Sequence, residues 1–375
     1  VTHRRSGALL LAIATLLGCD GTLSGGDPPR VEPDVDGGPG PRTDAATARE
    51  DGGTIVDTGV AMPDGGTPDP CLTVRCGANA RCEPTTGTCV CTPGFLDSGG
   101  GVCTAIPAGD PAGRTATEVC DAWAAGHVQN ASDPWNEVPG DSCAPGSLTR
   151  DAIDDTLRRV NLFRWMVGLA PVTDDPAQHA NDQACAVLMT RNGQLDHAPP
   201  MSWTCWSMAG ANGAGSSNLA LGVGSPGDAI DLYMDDSGVP SLGHRRWVLN
   251  GPLGRVGVGF AGNAQCLGVF DGSGSSTRAW TSWPSPGPIP REALRGDWSF
   301  HSNSISMRAA SVRVVRVSDG AELEVSVDHP ADGYGPSTVS FRPMGWSPAA
   351  GERYRVTIEG IDGGSITYEV APVEC

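Results

Sequence analysis

The sequence predicts a multidomain chain: a small disulfide-rich module, then an α/β unit, then a C-terminal β-sandwich of immunoglobulin-like type. Three observations predict it. Six of the 13 cysteines crowd into residues 71–103, apolar residues recur every three or four positions from Thr149 onward, and alternating short runs separated by turn residues fill the chain after Trp298. A length of 375 residues leaves room for two or three such domains.

The N-terminus comes first. Residues 1–18 open on His3, Arg4 and Arg5 and continue with an apolar run from Gly7 to Leu17, too short to span a bilayer as a mature helix, so they are expected to be an export signal. The run ends Leu16-Leu17-Gly18-Cys19, which resembles a bacterial lipobox. That resemblance implies cleavage before Cys19, acylation of its thiol and a membrane-anchored lipoprotein of the bacterial cell envelope, on the periplasmic face or the cell surface. An exported chain with 13 cysteines is expected to carry a disulfide framework, and acylation of Cys19 accounts for the odd one. Charge narrows the partners further: 25 basic residues, every one arginine, against 43 acidic ones give a net charge of −18, so no nucleic-acid partner is expected.

Residues 19–70 are dominated by Gly, Pro, Asp and Thr, with Asp-Gly-Gly repeated from Asp36, Asp51 and Asp64. Such a composition buries too little to offset its ordering entropy and reads as a tether spanning about 40 Å on average. Residues 71–103 cannot hold a core without cross-links. Their spacing, with Cys89 and Cys91 one residue apart and Gly94-Phe95 ahead of Cys103, resembles an EGF-like module. The resemblance implies the pairs Cys71–Cys82, Cys76–Cys89 and Cys91–Cys103. Only Asp69 precedes the first cysteine where the calcium-binding subtype carries several acidic and amide groups, so no calcium is expected there.

After a lead-in over 104–148, Ile153, Leu157, Val160, Phe163 and Val167 mark the buried face of a helix that Gly168 ends. A second helix is capped by Asp175, opens on Pro176 and stops at Asn192-Gly193. A third starts at Ser225-Pro226 with Asp228 in its first turn. The runs "RVGVGF" and "QCLGVF" around Gly262-Asn263 read as strands, so helices flank strands in one unit over 149–290. Residues 282–290, rich in proline, read as a connector, and 291–375 as the sandwich. There "SVRVVRV" and "ELEVSV" flank Asp319-Gly320, and a second alternating pair flanks Asp362-Gly363-Gly364. Trp280, Trp283, Trp298 and Trp346 are expected at the seam between the two units.

Three motifs in the α/β unit carry a further resemblance: "VNLFRWMVGLAPV" from Val160, "GQLDH" ending at His197, and "GHRRWVLNGPLGRVGVGF" from Gly243. Over residues 151–270 the order resembles the CAP superfamily, also called SCP or pathogenesis-related-1 proteins. The resemblance implies a three-layer α-β-α sandwich with a cleft of two histidines and two glutamates that binds a divalent metal in some members. Carried over, the histidines are His197 and His244. Ser217 stands in place of the first glutamate, ahead of Asn218, and Asp236, three residues after Tyr233, in place of the second. Two imidazoles and one carboxylate suit zinc with an open position, and they equally suit histidines satisfied by local hydrogen bonds. Arg245 and Arg246 read as salt-bridging or capping residues.

The cleft of His197, Ser217, Tyr233, Asp236 and His244, near Trp203 and Trp206, has the mixed polar and apolar character of ligand sites. The reading is therefore binding, of a lipid, sterol-like or peptide ligand, with no catalysis expected. One alternative is an adhesive or envelope-structural lipoprotein with a vestigial cleft. Another is a hydrolase with Ser217 as nucleophile, His244 or His197 as base and Asp236 as orienter, against which no strained strand-to-helix elbow holds Ser217. Of the remaining cysteines, Cys120–Cys143 is expected as the local pair and Cys185–Cys205 as the fastening of the loop around Trp203 and Trp206, which leaves Cys266–Cys375 to tie the end of the sandwich to the α/β unit. His127, His179, His301 and His329 read as surface or local structural residues.

Overall fold

The computed structural model describes residues 70–77, 79–99 and 101–375. The expected signal over 1–18, Cys19 and the expected tether as far as residue 69 lie outside the described residues. In the small module, two hairpins pair β1 (Ala80–Glu83) with β2 (Thr88–Cys91) and β3 (Phe95–Asp97) with β4 (Cys103–Ala105). Strands this short do not hold themselves. Cys71–Cys82, Cys76–Cys89 and Cys91–Cys103 cross-link them.

The lead-in folds rather than merely connecting. Thr115 and Glu118 form a reciprocal cap that starts α1 (Ala116–Gly126), and β5 (Trp135–Asn136) pairs with β6 (Ser147–Leu148). Next comes α2 (Arg150–Met166), capped by the Thr149 side chain and carrying Asp151 in its first turn. This helix also seats the small module: Asn161 donates to the carbonyls of Pro93 and Val172 at 2.9 Å each, and Arg81 reaches the buried Asp154 at 2.6 Å.

The central sheet explains the layers. After β7 (Thr173–Asp174) come α3 (Pro176–Asn192), α4 (Met208–Ser216), β8 (Ser217–Leu221), α5 (Pro226–Asp235), α6 (Gly243–Val248), β9 (Arg255–Ala261) and β10 (Ala264–Gly268). The strand order is β7-β9-β10-β8. Along β9, Val256, Val258 and Phe260 alternate with Gly257, Gly259 and Ala261, and a strand sends alternate side chains to opposite faces. The bulky set joins α2 and α5 in one core with Leu157, Phe163, Ile230 and Leu267. On the other face, Cys185 to Met189 of α3 pack with Ala214, Leu219, Ala261, Ala264 and Cys266. Helices thus cover both faces of the sheet. Glycine is required on the α3 side, where a Cβ at Gly259 would lie 2.0 Å from the Asp182 carbonyl oxygen.

Helix caps follow the sequence closely. Asp175 and Ser225 accept from backbone N–H groups at the starts of α3 and α5, each ahead of a proline, and Gly193 closes α3 at φ 61°. Helix α4 has no apolar period and its residues, "MAGANGAGS", favour helix weakly, so only packing betrays it. At Gly213 a Cβ would come within 2.3 Å of the Asn181 carbonyl oxygen of α3, so this close helix crossing depends on the small residue.

The sandwich starts earlier than the proline-rich composition suggests. Strands β11 (Thr281–Trp283) and β12 (Gly287–Pro290) precede β13 (Trp298–Ser302), β14 (Ser311–Arg316), β15 (Glu322–Leu323), β16 (Val325–Asp328), β17 (Ser337–Pro343), β18 (Tyr354–Ile361) and β19 (Gly364–Val373). One sheet runs β11-β13-β17-β16, the other β12-β19-β18-β14-β15. Both early strands lie at sheet edges, where proline is tolerated because one backbone side needs no partner. The expected hairpin partner "ELEVSV" divides at Glu324: β15 pairs with β14, and β16 crosses to the other sheet to pair with β17. Inner-face residues of both sheets, among them Phe300, Phe341, Val356 and Val370, share the core of the α2 and α5 layer.

Three expected disulfides are corrected. Instead of Cys120–Cys143, Cys185–Cys205 and Cys266–Cys375, the structure pairs Cys120 with Cys375, Cys143 with Cys205, and Cys185 with Cys266. Proximity in the chain misleads here because face decides. Cys266 points to the α3 side of the sheet, where Cys185 meets it with the Cα atoms 6.2 Å apart, in a core that excludes solvent from both. Cys205 is left to fasten its loop to the lead-in, and α1 reaches the end of β19.

Candidate functional site

Two residues in left-handed backbone conformation frame the site. Asp236, at φ 49°, ends α5, and Leu242, at φ 47°, begins α6. Such conformations are strained for non-glycine residues and concentrate where geometry matters. The short loop between them brings the Asp236 carboxylate to His244: Oδ1 lies 2.7 Å from the imidazole Nδ1, and Oδ2 accepts from the Arg245 backbone N–H at 3.2 Å. Beneath, the Tyr233 ring stacks on the imidazole with centroids 5.2 Å apart, and the Asn218 side chain donates to the His244 carbonyl at 3.0 Å.

The hydrogen bonds define the chemistry. A carboxylate accepts, so Nδ1 carries the proton and Nε2 of neutral His244 holds a lone pair. Nε2 makes no hydrogen bond within the described residues, and the side chain is 24% exposed over a fully buried Asp236 carboxyl. Tyr233 is not a proton source: burial holds its phenol well above the ordinary range, and its hydroxyl donates to backbone carbonyls of β8 and β10. The result is an imidazole fixed in orientation, with one edge available for a hydrogen bond or proton transfer.

Ser217 faces elsewhere. Its hydroxyl donates to Asp182 Oδ1 of α3 at 2.9 Å, on the other side of the sheet from Tyr233. The triad of Ser217, His244 and Asp236 therefore does not form. His197 lies exposed on the α3–α4 connection with Nδ1 2.8 Å from the Ala214 carbonyl. Both histidines are thus tied to the segment 214–218, His197 at its start and His244 near its end. Trp203 and Trp206 are half-buried against the α3 core. Both Asp236 oxygens accept hydrogen bonds, and among the described residues no three His, Cys, Asp or Glu side chains come together to hold an ion.

Arg245 and Arg246 are fully buried and act on carbonyls. Arg245 donates to Met234, Asp235 and Asp297 oxygens and to the Ser299 hydroxyl, and Arg246 to Ser241, Ala331 and Pro336. Burial lowers the Arg245 guanidinium to about 10, so it remains charged at neutral pH. These arginines tie α5 and α6 to the β-sandwich, a role that reading them as neighbours of His244 could not show.

Sequence reasoning missed Asp182. Its carboxyl sits under β9 and β10 with Oδ2 buried and unpartnered, and desolvation raises it to about 7 against the opposing Ser217 hydrogen bond. Beside it, His179 Nδ1 accepts from the Val258 N–H at 3.0 Å. A signal existed: an acid within the Ala180, Ala184, Val187 stripe, opposite a strand with glycine at alternate positions.

Helices on both faces of a β7-β9-β10-β8 sheet, with a histidine held by an acid at the α5–α6 turn, define the α-β-α class. Residues 157–270 match the family described as CAP, the cysteine-rich secretory protein family, so a CAP domain is present over that segment. No curated protein and no solved structure matches the chain.

Proposed function

We propose that the protein is an exported lipoprotein of the bacterial envelope whose CAP domain docks a small hydrophobic ligand at the His244 face. The observation that carries this reading is the orientation of His244: Asp236 holds Nδ1 and Tyr233 backs the ring, so Nε2 presents a single polar contact without a nucleophile beside it. Leu195, Met201 and Met208, on and beside the loop that bears His197, are exposed apolar side chains of the same CAP domain. A few fixed polar groups among apolar ones are what orient a small ligand. Export and anchoring rest on the signal-like residues 1–18 and Cys19.

The test is lipid mass spectrometry on protein purified natively from its membrane, with His244→Ala alongside. Retained lipid or sterol that falls at least about tenfold in the variant is expected. Equal retention by the variant, or none by either, refutes the reading. Fatty-acid labelling that persists in Cys19→Ala refutes the anchor.

A further inference from the structure

A cavity of about 890 Å³ opens between α1, α5 and the residues after β12. It does not include His244. Its floor is aromatic: the half-buried Trp123, which packs on His127 with ring centroids 4.0 Å apart, meets the buried Phe163 edge-on at 5.9 Å, and Phe163 meets the buried Trp283 edge-on at 5.4 Å, so Trp123 is the ring most open to the cavity. Its rim is acidic. Asp228, Asp231 and Asp235 recur at three- and four-residue spacing along the cavity side of α5, and Glu292 faces them from the turn after β12.

The partners of these acids decide what the cavity prefers. Asp228 accepts from Gln129, Asp235 from the Ser237 hydroxyl, and one oxygen of Asp231 from the buried Arg159. The other Asp231 oxygen is buried without a hydrogen bond, 3.6 Å from His127 Nε2, and Glu292 has no ion-pair partner among the described residues. Against four carboxylates, of which Asp231 is already paired with Arg159, the lining offers one guanidinium, Arg295, and the His127 imidazole. The whole chain, at a net charge of −18, draws cations toward it.

We propose that this cavity binds an amphiphilic organic cation, an ammonium group carrying an apolar body. Aromatic faces attract ammonium groups through their quadrupole, and the effect grows when the site is partly desolvated. The carboxylates complement the head group, and the volume lies within the range of small-molecule sites. A fatty carboxylate of the same length would set its charge among four of like sign. The Cys120–Cys375 disulfide lies in the wall and joins α1 to the end of β19, which fixes the cavity's width.

The experiment titrates the oxidised protein with hexyltrimethylammonium, hexanoate and hexanol, followed by calorimetry and tryptophan fluorescence. Saturable binding of the cation alone is expected, about fivefold or more weaker in Trp123→Leu and about two- to fourfold weaker in Glu292→Gln, whose exposed side chain carries no fold. Glu322→Gln, an exposed acid on β15, is expected to bind as the parent does. Near-UV circular dichroism checks that Trp123→Leu stays folded. Hexanoate or hexanol binding as tightly as the cation, no saturable cation binding, or binding indifferent to Glu292→Gln overturns the proposal.

Discussion

Replacing Asp182 by Asn is expected to change the pH dependence of stability rather than the fold. In the folded chain the carboxyl releases its proton near 7; in the unfolded chain it does so near 3.8. Below about 3.8 both states hold the proton and the folded state bears no penalty. As pH rises from there through 7, the unfolded state ionises first and stability is lost. At about 1.36 kcal/mol per tenfold change in proton affinity, the full loss is about 4 kcal/mol by pH 8. Asn keeps an acceptor for the Ser217 hydroxyl and carries no charge. The assay is chemical denaturation with disulfides intact at pH 4, 5, 6, 7 and 8, on parent and Asp182→Asn. His301, which burial holds well below its ordinary range, titrates in both and cancels in the difference. The variant is expected to gain on the parent progressively between pH 4 and 8, and a difference that stays flat across this range refutes the reasoning.

Three further outcomes are expected. Gly259→Ala drives a Cβ into the Asp182 carbonyl, whereas nothing lies within 4 Å of one at Gly272; the first should lose about 3 kcal/mol or more and the second almost nothing, read by thermal unfolding. Arg245→Ala strands three carbonyls and the Ser299 hydroxyl, so a loss of about 3–5 kcal/mol is expected, with calorimetry showing the CAP domain and sandwich melting less cooperatively. Peptide mapping of the unreduced protein should recover Cys120 with Cys375 and Cys185 with Cys266; recovery of Cys266 with Cys375 would contradict the face assignment of β10.

Helix starts were legible because a cap is a local event: Asp175 and Ser225 satisfy N–H groups two or three residues away, and the following proline has no N–H to leave open. Hairpins were legible where turn chemistry was local, as at Gly262-Asn263 between β9 and β10. Helix α4 was not, since its only distinguishing property is smallness toward α3. The edge strand β12 was hidden by prolines that a central strand would forbid, and β11 by the proline-rich run that follows it. Within the site, Tyr233, Asp236 and His244 lie within twelve residues and one turn joins them, so the sequence pointed to them together. Ser217 stood with them by motif, but its neighbours on β8 turn its hydroxyl across the sheet to Asp182.

By itself the sequence determined the alternation along β9, the caps, the small cross-linked module and the histidine motif, because each is written in residues that lie close together in the chain. Only the tertiary structure decided which cysteines meet, which way Ser217 faces, that Asp182 loses its solvent, and that Trp123, Phe163 and Trp283 floor one cavity. Those outcomes depend on which faces of separate layers are pressed together, and packing acts on surfaces that the order of residues does not make adjacent.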